Sequence, residues 1–553
     1  MTGAARAIFD PRRVLRGLAR RFRGEVPAAY FNPHSRRDLT RLLEPFGIPV
    51  PAGDPRADLN DDANSAFDRV RQVYELRPDV RGVFPLGLTP AQRGEYVAWL
   101  FRHGRGEYGL TDGDILCYLF ALADDPACGL GATYLLSPEW QRAVPEAFTA
   151  AGWETLKKWV ARTYPEHAGR WLRGAARQPA FADYAREPSG PAINLLGHFK
   201  YDSGLQEEAL QHVAALEQAG YRTYLRDVPV SYPRDWRDGS RFTAPERGAV
   251  TLIKTGANDP LDEIYARAGL HPRPGVYRVA CWSWELEDFP RHAVERGGLA
   301  NEVWTPSEFC ARSVRAAMPG APVFAVQPAV TLPPFPPRPR GDFGLPADHF
   351  VFLFMFDLAS GMERKNPLGL IRAFRRAFRP GEAVHLAIKV SRGAAHPAEF
   401  AELCRDAAAA GATVIDRVMP RADVCALLAN CDAYVSLHRS EGFGFTTAEA
   451  MLMGKPTIAT GYSGNLDFMT TDNSFLVEYD RVPLARDHGP YPKGCVWADP
   501  SEAHAAGLMR RVFNGREGAA AVAARGRATV ATFLSREAAA RRMTARLAEI
   551  ARR

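Results

Sequence analysis

The chain has 553 residues, of which 46% are hydrophobic, 10% aromatic and 24% charged, enough apolar material for several cores. This excludes a disordered scaffold, a collagen and a disulfide-stapled mini-protein, and no apolar run approaches the ~18–20 residues of a membrane-spanning helix. The formal net charge is +7, yet only eight of the seventy basic residues are lysine, so the excess reads as arginine spread over the surface and no nucleic-acid partner is expected.

In chain order, residues 1–40 form a basic leader. Pro11–Arg23 sets apolar residues between arginines at 12, 13, 16, 20, 21 and 23. The arginines break up any signal-peptide core, and a cytoplasmic location is expected. The segment suits a short helix in peripheral contact with the anionic inner face of a membrane; a solvated tail explains it equally well. Residues 41–187 read as a helical accessory domain. Leu88-Thr89-Pro90 predicts a capped helix over 91–103 with Gly104 just past its end. Thr111-Asp112-Gly113-Asp114 caps a helix over 115–123, and more helices are expected over 138–149 and 151–163. Asp112-Gly113-Asp114 has the letters of a metal-binding Asp-x-Asp motif, but it precedes a helix instead of following a strand, so capping explains it. The eight cysteines (117, 128, 281, 310, 404, 425, 431 and 495) form no C-x-x-C pair and read as reduced, buried thiols.

Near Pro191 the texture changes to short apolar strands alternating with helices. Strands are predicted over 192–196, 221–228, 249–254, 276–282, 302–305 and 323–327, with a helix over 205–219. The proline-rich stretch Leu332–Pro339 is a linker. A second series follows, with strands over 350–356, 384–390, 413–416, 433–437, 457–459 and 475–477. Helices over 366–378, 398–410, 421–430 and 446–453 separate them. The chain is therefore α/β, with two facing doubly wound domains at 188–337 and 338–534. A final helix at 535–553 either packs back on the first of them or is a basic amphipathic end.

The most informative junction follows the strand over 433–437: His438-Arg439-Ser440-Glu441-Gly442-Phe443-Gly444-Phe445-Thr446-Thr447-Ala448-Glu449. Gly442 and Gly444 let backbone amides approach a ligand, and Thr446 or Thr447 is placed to cap the helix. Glu441 stands before the helix and Glu449 about one turn inside it. Carboxylates suit vicinal sugar hydroxyls, because each oxygen can accept a hydrogen bond from one of them. Lys365 and Lys389, in a chain that otherwise prefers arginine, lie at helix or strand ends and suit a diphosphate.

The segment Ser440–Pro456, with two glutamates eight positions apart, Gly-Phe-Gly between them and Gly454-Lys455-Pro456 after, resembles glycosyltransferase family 4. The likeness extends over roughly residues 190–535. It implies a GT-B fold of two Rossmann-like domains, a retaining mechanism and a nucleotide-sugar donor. It also implies that Glu449 binds the ribose and that Glu441, with the Phe443–Gly444–Phe445 backbone, binds the transferred sugar. Arg364 and Lys365 match the basic residues that hold the donor diphosphate. Family members often carry an arginine six positions before that lysine; Ala359 stands there, and Lys389 is the candidate substitute. The resemblance places Val418 and Met419 at the base, and puts Ser203 and Gly204 in a loop that closes over donor or acceptor. Asn465 belongs to a glycine-containing loop expected to line the same cleft. Many members set a histidine near the position where Trp284 and Glu285 stand here. An aromatic face and a carboxylate there suit a sugar, and Glu285 is the candidate.

No cofactor and no metal are expected, and no phosphate loop or dinucleotide loop occurs where it would be needed. The expected function is transfer of a sugar, of hexosyl type, to a saccharide or lipid-linked acceptor in bacterial surface polysaccharide synthesis. Two other readings use the same fold. One is a non-catalytic nucleotide-sugar or saccharide-binding scaffold in a polysaccharide assembly complex; the other is a sugar-nucleotide epimerase.

Overall fold

The computed structural model describes residues 31–56, 63–167, 169–177, 190–201, 203–230, 242–257, 259–290, 293–294 and 300–552. The leader helix expected at Pro11–Arg23 lies outside them. The chain forms two compact units: residues 1–202, 224–249 and 262–276 make one, and 203–223, 250–261 and 277–553 make the other.

In the first unit, helices Arg36–Leu43, Ala63–Leu76, Arg93–Trp99, Asp112–Ala123, Leu130–Leu136 and Ala150–Thr163 supply most of the packing. One apolar core gathers Leu43, Tyr74, Tyr96, Ile115 and Leu119; a second gathers Trp140, Trp153, Leu156 and Val160. Thr111 and Asp114 form a reciprocal capping box, each side chain bonded to the other's backbone N–H. The helix expected over 91–103 differs. Thr89 turns its hydroxyl back to the Leu86 carbonyl at 2.7 Å, and the helix begins at Arg93. It runs through a π-helical stretch at Leu100–Gly104 and stops at Gly109, whose φ of 63° lies in the left-handed region. The helix expected over 138–149 covers only Pro138–Ala143, because Val144, preceding Pro145, is pushed out of helical geometry.

Six strands form the first sheet: β1 (Ala192–Gly197), β2 (Arg222–Asp227), β3 (Val250–Gly256), β4 (Tyr277–Ser283), β5 (Glu302–Thr305) and β6 (Val323–Ala325), in the order β2-β1-β3-β4-β5-β6. β3 and β4 run parallel from Val250↔Tyr277 to Gly256↔Ser283. The second sheet has β7 (Phe350–Met355), β8 (Val384–Val390), β9 (Thr413–Asp416), β10 (Ala433–Ser436), β11 (Thr457–Thr460) and β12 (Phe475–Val477), in the order β12-β11-β10-β7-β8-β9. All six residues of β7 are buried, which explains its unbroken apolar run. Helices Pro367–Ala377, Pro397–Ala409, Arg421–Ala429 and Phe445–Leu452 alternate with these strands. Two parallel sheets with flanking helices, after a helical N-terminal region, make this a Rossmann-like GT-B architecture.

An antiparallel hairpin, β13 (Tyr479–Pro483) and β14 (Val496–Pro500), follows the second sheet and was not anticipated, whereas the final helix was. The final helix, Arg536–Ile550, is fastened by Arg546, whose guanidinium donates to both carboxylate oxygens of Glu302 on β5 at 2.9 and 2.6 Å. All eight cysteines are free, and Cys128, Cys404 and Cys495 are only partly buried. Among the described residues no helix is long and apolar enough to cross a membrane.

His212, in helix Gly204–Gln218, is buried with neither ring nitrogen hydrogen-bonded. Burial, with Lys254 and Arg542, holds it down to about 3. Between that value and the ordinary histidine range the unfolded chain binds the extra proton, so stability rises with pH there. His212→Leu is expected to flatten the acid side of a stability-versus-pH curve below pH ~6.5, removing a slope of up to about 1.4 kcal/mol per pH unit. Urea unfolding at stepped pH measures it; an unchanged slope in the variant contradicts the assignment.

Candidate active site

The order of the second sheet reverses between β7 and β10, and a crevice opens at the carboxyl ends of strands at such a switch point. Both charged loops start there. After β7 come a 3-10 turn at Leu358–Ser360 and the short helix Met362–Lys365. Asn366, at φ 54°, ends that helix and caps the next, its Oδ1 accepting from the Gly369 N–H at 3.2 Å. Its Nδ2 donates to the Leu437 carbonyl at 2.9 Å, and the Arg439 N–H donates to the Arg364 carbonyl at 2.7 Å. These bonds fasten the Arg364–Lys365 turn to the end of β10.

Both cations converge on Glu441. Lys365 Nζ donates to Glu441 Oε1, while Arg364 Nη1 lies 3.4 Å from Oε2 and donates to the Ser440 carbonyl at 2.9 Å. Burial alone would push the Glu441 carboxyl up, but Lys365 and Arg364 outweigh it and hold it at about 2. Burial also pushes the Lys365 ammonium down, against the pull of Glu441. His438, immediately behind, is fully buried with both ring nitrogens unbonded, and burial holds it neutral at about 4.

Glu285, in the loop after β4, joins the same cluster. Its Oε1 lies 3.9 Å from Arg364 Nη2, and its backbone carbonyl accepts from the Ser440 hydroxyl. Tyr491, from the loop between β13 and β14, donates its hydroxyl to Glu285 Oε2 at 2.8 Å, and the Arg364 guanidinium lies over its ring at 5.9 Å. Sequence reasoning missed Tyr491. The available signal was an aromatic between prolines, Pro490-Tyr491-Pro492, in a segment with strand-forming residues on both sides. Trp284 does not offer a face to a sugar: it is 1% exposed, packs against Phe289 and Tyr491, and donates its indole N–H to the Asp288 carbonyl. The expected aromatic platform is core.

Glu449 sits in a second, separate pairing. It is buried in the helix Phe445–Leu452 and ion-paired to Arg421 at the start of helix Arg421–Ala429. Arg421 also faces Glu207 at 3.5 Å, in the first turn of helix Gly204–Gln218, where Ser203 is the N-cap and Gly204 the first residue. Burial pushes the Glu449 carboxyl up, with Arg421 opposing. Arg421 and Glu207 were not singled out in the sequence because neither lies in a motif.

The other candidates spread around these two clusters. Lys389 is buried near the end of β8 and donates to the Ser391 hydroxyl at 2.6 Å. Val418 is exposed, whereas Met419 belongs to the core of the second sheet. Phe443 is buried against Phe445 and Phe468, leaving its backbone for any ligand. The helix N-cap is Gly444, at φ 95°, instead of a threonine; Thr447 turns its hydroxyl back to the Gly444 carbonyl at 2.6 Å. Asn465 is buried, donates to the Thr460 carbonyl at 3.0 Å, and has its Oδ1 unbonded. Its loop locks onto the Glu441 loop: the Gly464 N–H donates to the Glu441 carbonyl at 2.9 Å and the Glu441 N–H to Ser463 Oγ at 2.8 Å.

Residues 349–486 match the model of the family described as Glycosyl transferases group 1. Comparison with the curated proteins gave no significant match. Among solved structures, HepE from Anabaena in complex with UDP and glucose is similar over 65% of this chain and 100% of its own, at 15% identity and a TM-score of 0.47. Sucrose-phosphate synthase from Thermosynechococcus elongatus is similar over 65% and 99%, at 16% identity and 0.47. A glycosyltransferase from Rickettsia africae is similar over 66% and 99%, at 12% identity and 0.47.

A Cβ at position 464 would stand 2.1 Å from the Gly442 carbonyl oxygen, a backbone atom that cannot step aside. Gly464→Ala is expected to cost about 1–3 kcal/mol. Gly507→Ala, on an exposed helix face with open space around it, should instead gain about 0.5–1 kcal/mol. Urea denaturation of both checks the contrast, and equal effects would contradict the loop contact.

Proposed function

We propose that the chain is a retaining, metal-independent hexosyltransferase that moves a sugar from a nucleotide-sugar donor to a saccharide or lipid-linked acceptor in bacterial surface polysaccharide synthesis. The observation that carries the proposal is the buried Arg364–Lys365–Glu441 cluster at the switch point of the second sheet, inside the segment that matches the group 1 family. Two cations fastened to the main chain suit a diphosphate, and a carboxylate held ionised beside them suits sugar hydroxyls.

In this reading the bond from the sugar's anomeric carbon to the β-phosphate oxygen breaks, and its electrons leave with the nucleoside diphosphate. Arg364 and Lys365 offset that developing charge. The acceptor oxygen forms the new bond on the face the leaving group vacates, and its proton passes to the departing phosphate oxygen. Glu441 accepts hydrogen bonds from the transferred sugar and Glu449 from the ribose, Arg421 giving way to it. No protein nucleophile is assigned. The membrane contact of the leader and a cytoplasmic location complete the proposal.

Calorimetric titration with UDP, GDP, ADP and their common sugars tests it. One nucleotide is expected to bind, and Glu449→Ala should weaken it by roughly tenfold or more, the loss of a hydrogen bond to a charged group. Lys365→Ala should lower turnover of the matching donor by about 100-fold or more. A folded protein that binds none of these nucleotides would sink the transferase reading and favour the scaffold.

A further inference from the structure

The first unit contains a cavity of about 580 Å3, within the ~300–1,000 Å3 of small-ligand sites. Part of its lining is apolar, from Leu122 of helix Asp112–Ala123 and Ala132, Leu135 and Leu136 of helix Leu130–Leu136. Phe242 lines it too, its ring held flat by stacking on Phe199 with centroids 4.8 Å apart and planes 2° off parallel.

The rest of the lining is largely charged, in both signs. Four arginines (56, 71, 226 and 267) and four carboxylates (Glu75, Asp124, Asp125 and Asp227) belong to it. They hold one another and the main chain in place. Arg71 Nε meets Glu75 Oε1 at 2.8 Å, and Lys200 Nζ meets Oε2 at 3.2 Å. Burial pushes Glu75 up, but Arg71, Lys200 and Arg226 bring it down to about 2. Arg56 Nη2 bonds Asp124 Oδ2 at 2.6 Å, while His34 takes the other Asp124 oxygen at 2.8 Å. Arg226 donates to the Thr243 and Ala268 carbonyls, each at 2.8 Å, and Arg267 to the Pro229 carbonyl at 3.0 Å. Asp227, at the end of β2, accepts from the Lys200 N–H at 3.1 Å, and Asp125 accepts from the Ala127 and Gly129 N–H groups at 2.8 and 2.7 Å.

Equal numbers of opposite charges give no net field to gather a phosphate or a polycation. What remains is a fixed set of N–H donors and carboxylate acceptors that shares the cavity with apolar side chains and an aromatic ring. The complement of that surface is a molecule with many hydroxyls and no charge, whose C–H face rests on Phe242 and the leucines while its hydroxyls bridge carboxylate and guanidinium. We propose that this cavity binds a neutral saccharide. It shares no residue with the Arg364–Lys365–Glu441 cluster, and the proposal stands without the transferase reading.

Saturation-transfer NMR on the full chain, with neutral gluco-, galacto- and manno-oligosaccharides and their uronic-acid and phosphorylated counterparts as probes, tests it. At least one neutral probe is expected to bind. Ala132→Trp, which fills the cavity, should weaken that binding at least tenfold, and Asp124→Asn, on a half-exposed rim side chain, should weaken it while leaving the fold intact. Nucleotide titration of the same samples should be unchanged in both variants. The proposal is overturned if no neutral probe binds, if only the anionic ones do, or if binding persists in both variants. Saccharide binding without nucleotide binding would count against the transferase reading alone.

Discussion

A partly buried carboxylate shared by a buried guanidinium and a partly buried ammonium ties together the ends of β7 and β10, and much of the second unit follows from it. Arg364 is 5% exposed, and the side chains of Lys365 and Glu441 keep 16% and 14% of their surface. A lone charge in that position would cost several kcal/mol, so each member requires the others, and the main chain must hold all three in register. That requirement accounts for the left-handed Asn366, which serves two helices and reaches across to Leu437. It also accounts for the backbone bond from Arg439 to Arg364 and for the hydroxyl of Ser440 reaching the Glu285 carbonyl.

The two glutamates of the motif occupy opposite electrostatic settings. Glu441 meets two cations and is held well below the ordinary range, whereas burial pushes Glu449 up against the single guanidinium of Arg421. Eight residues of sequence thus separate a carboxylate that stays ionised from one whose charge is costly to bury. One lies in a loop at a sheet's switch point and the other inside a helix. Environment, not residue type, divides them.

The alternation of strands and helices was legible in the sequence because fully buried parallel strands leave unbroken apolar runs. β7 was recognisable from such a run and β8 from its mostly apolar residues, each within a residue or two of the observed limits. Helix ends were less legible where a proline two residues on, as after Ala143, or a π-helical stretch, as at Leu100–Gly104, overrode the capping pattern. Within the site, Glu441 stood out as a carboxylate beside Gly442 after a strand, Lys365 as one of few lysines, and Arg364 only through the family resemblance; the structure brings the three together. Tyr491 did not stand out, since its placement depends on a hairpin whose first strand is mostly exposed and lacks the apolar alternation that announces a strand. Trp284 misled for the opposite reason: a tryptophan beside a carboxylate reads alike whether it faces a ligand or a core.

The seam between the Glu441 loop and the Gly464 loop has a dynamic consequence. Each loop supplies the other's hydrogen-bond partners, through the Glu441 carbonyl, the Gly464 N–H and Ser463 Oγ, and position 464 has no room for a side chain. Neither loop can open while the other stays closed without stranding polar backbone groups. Amide hydrogens at 441 and 464 therefore belong to one cooperative opening unit with one opening free energy, although twenty-odd residues and strand β11 lie between them.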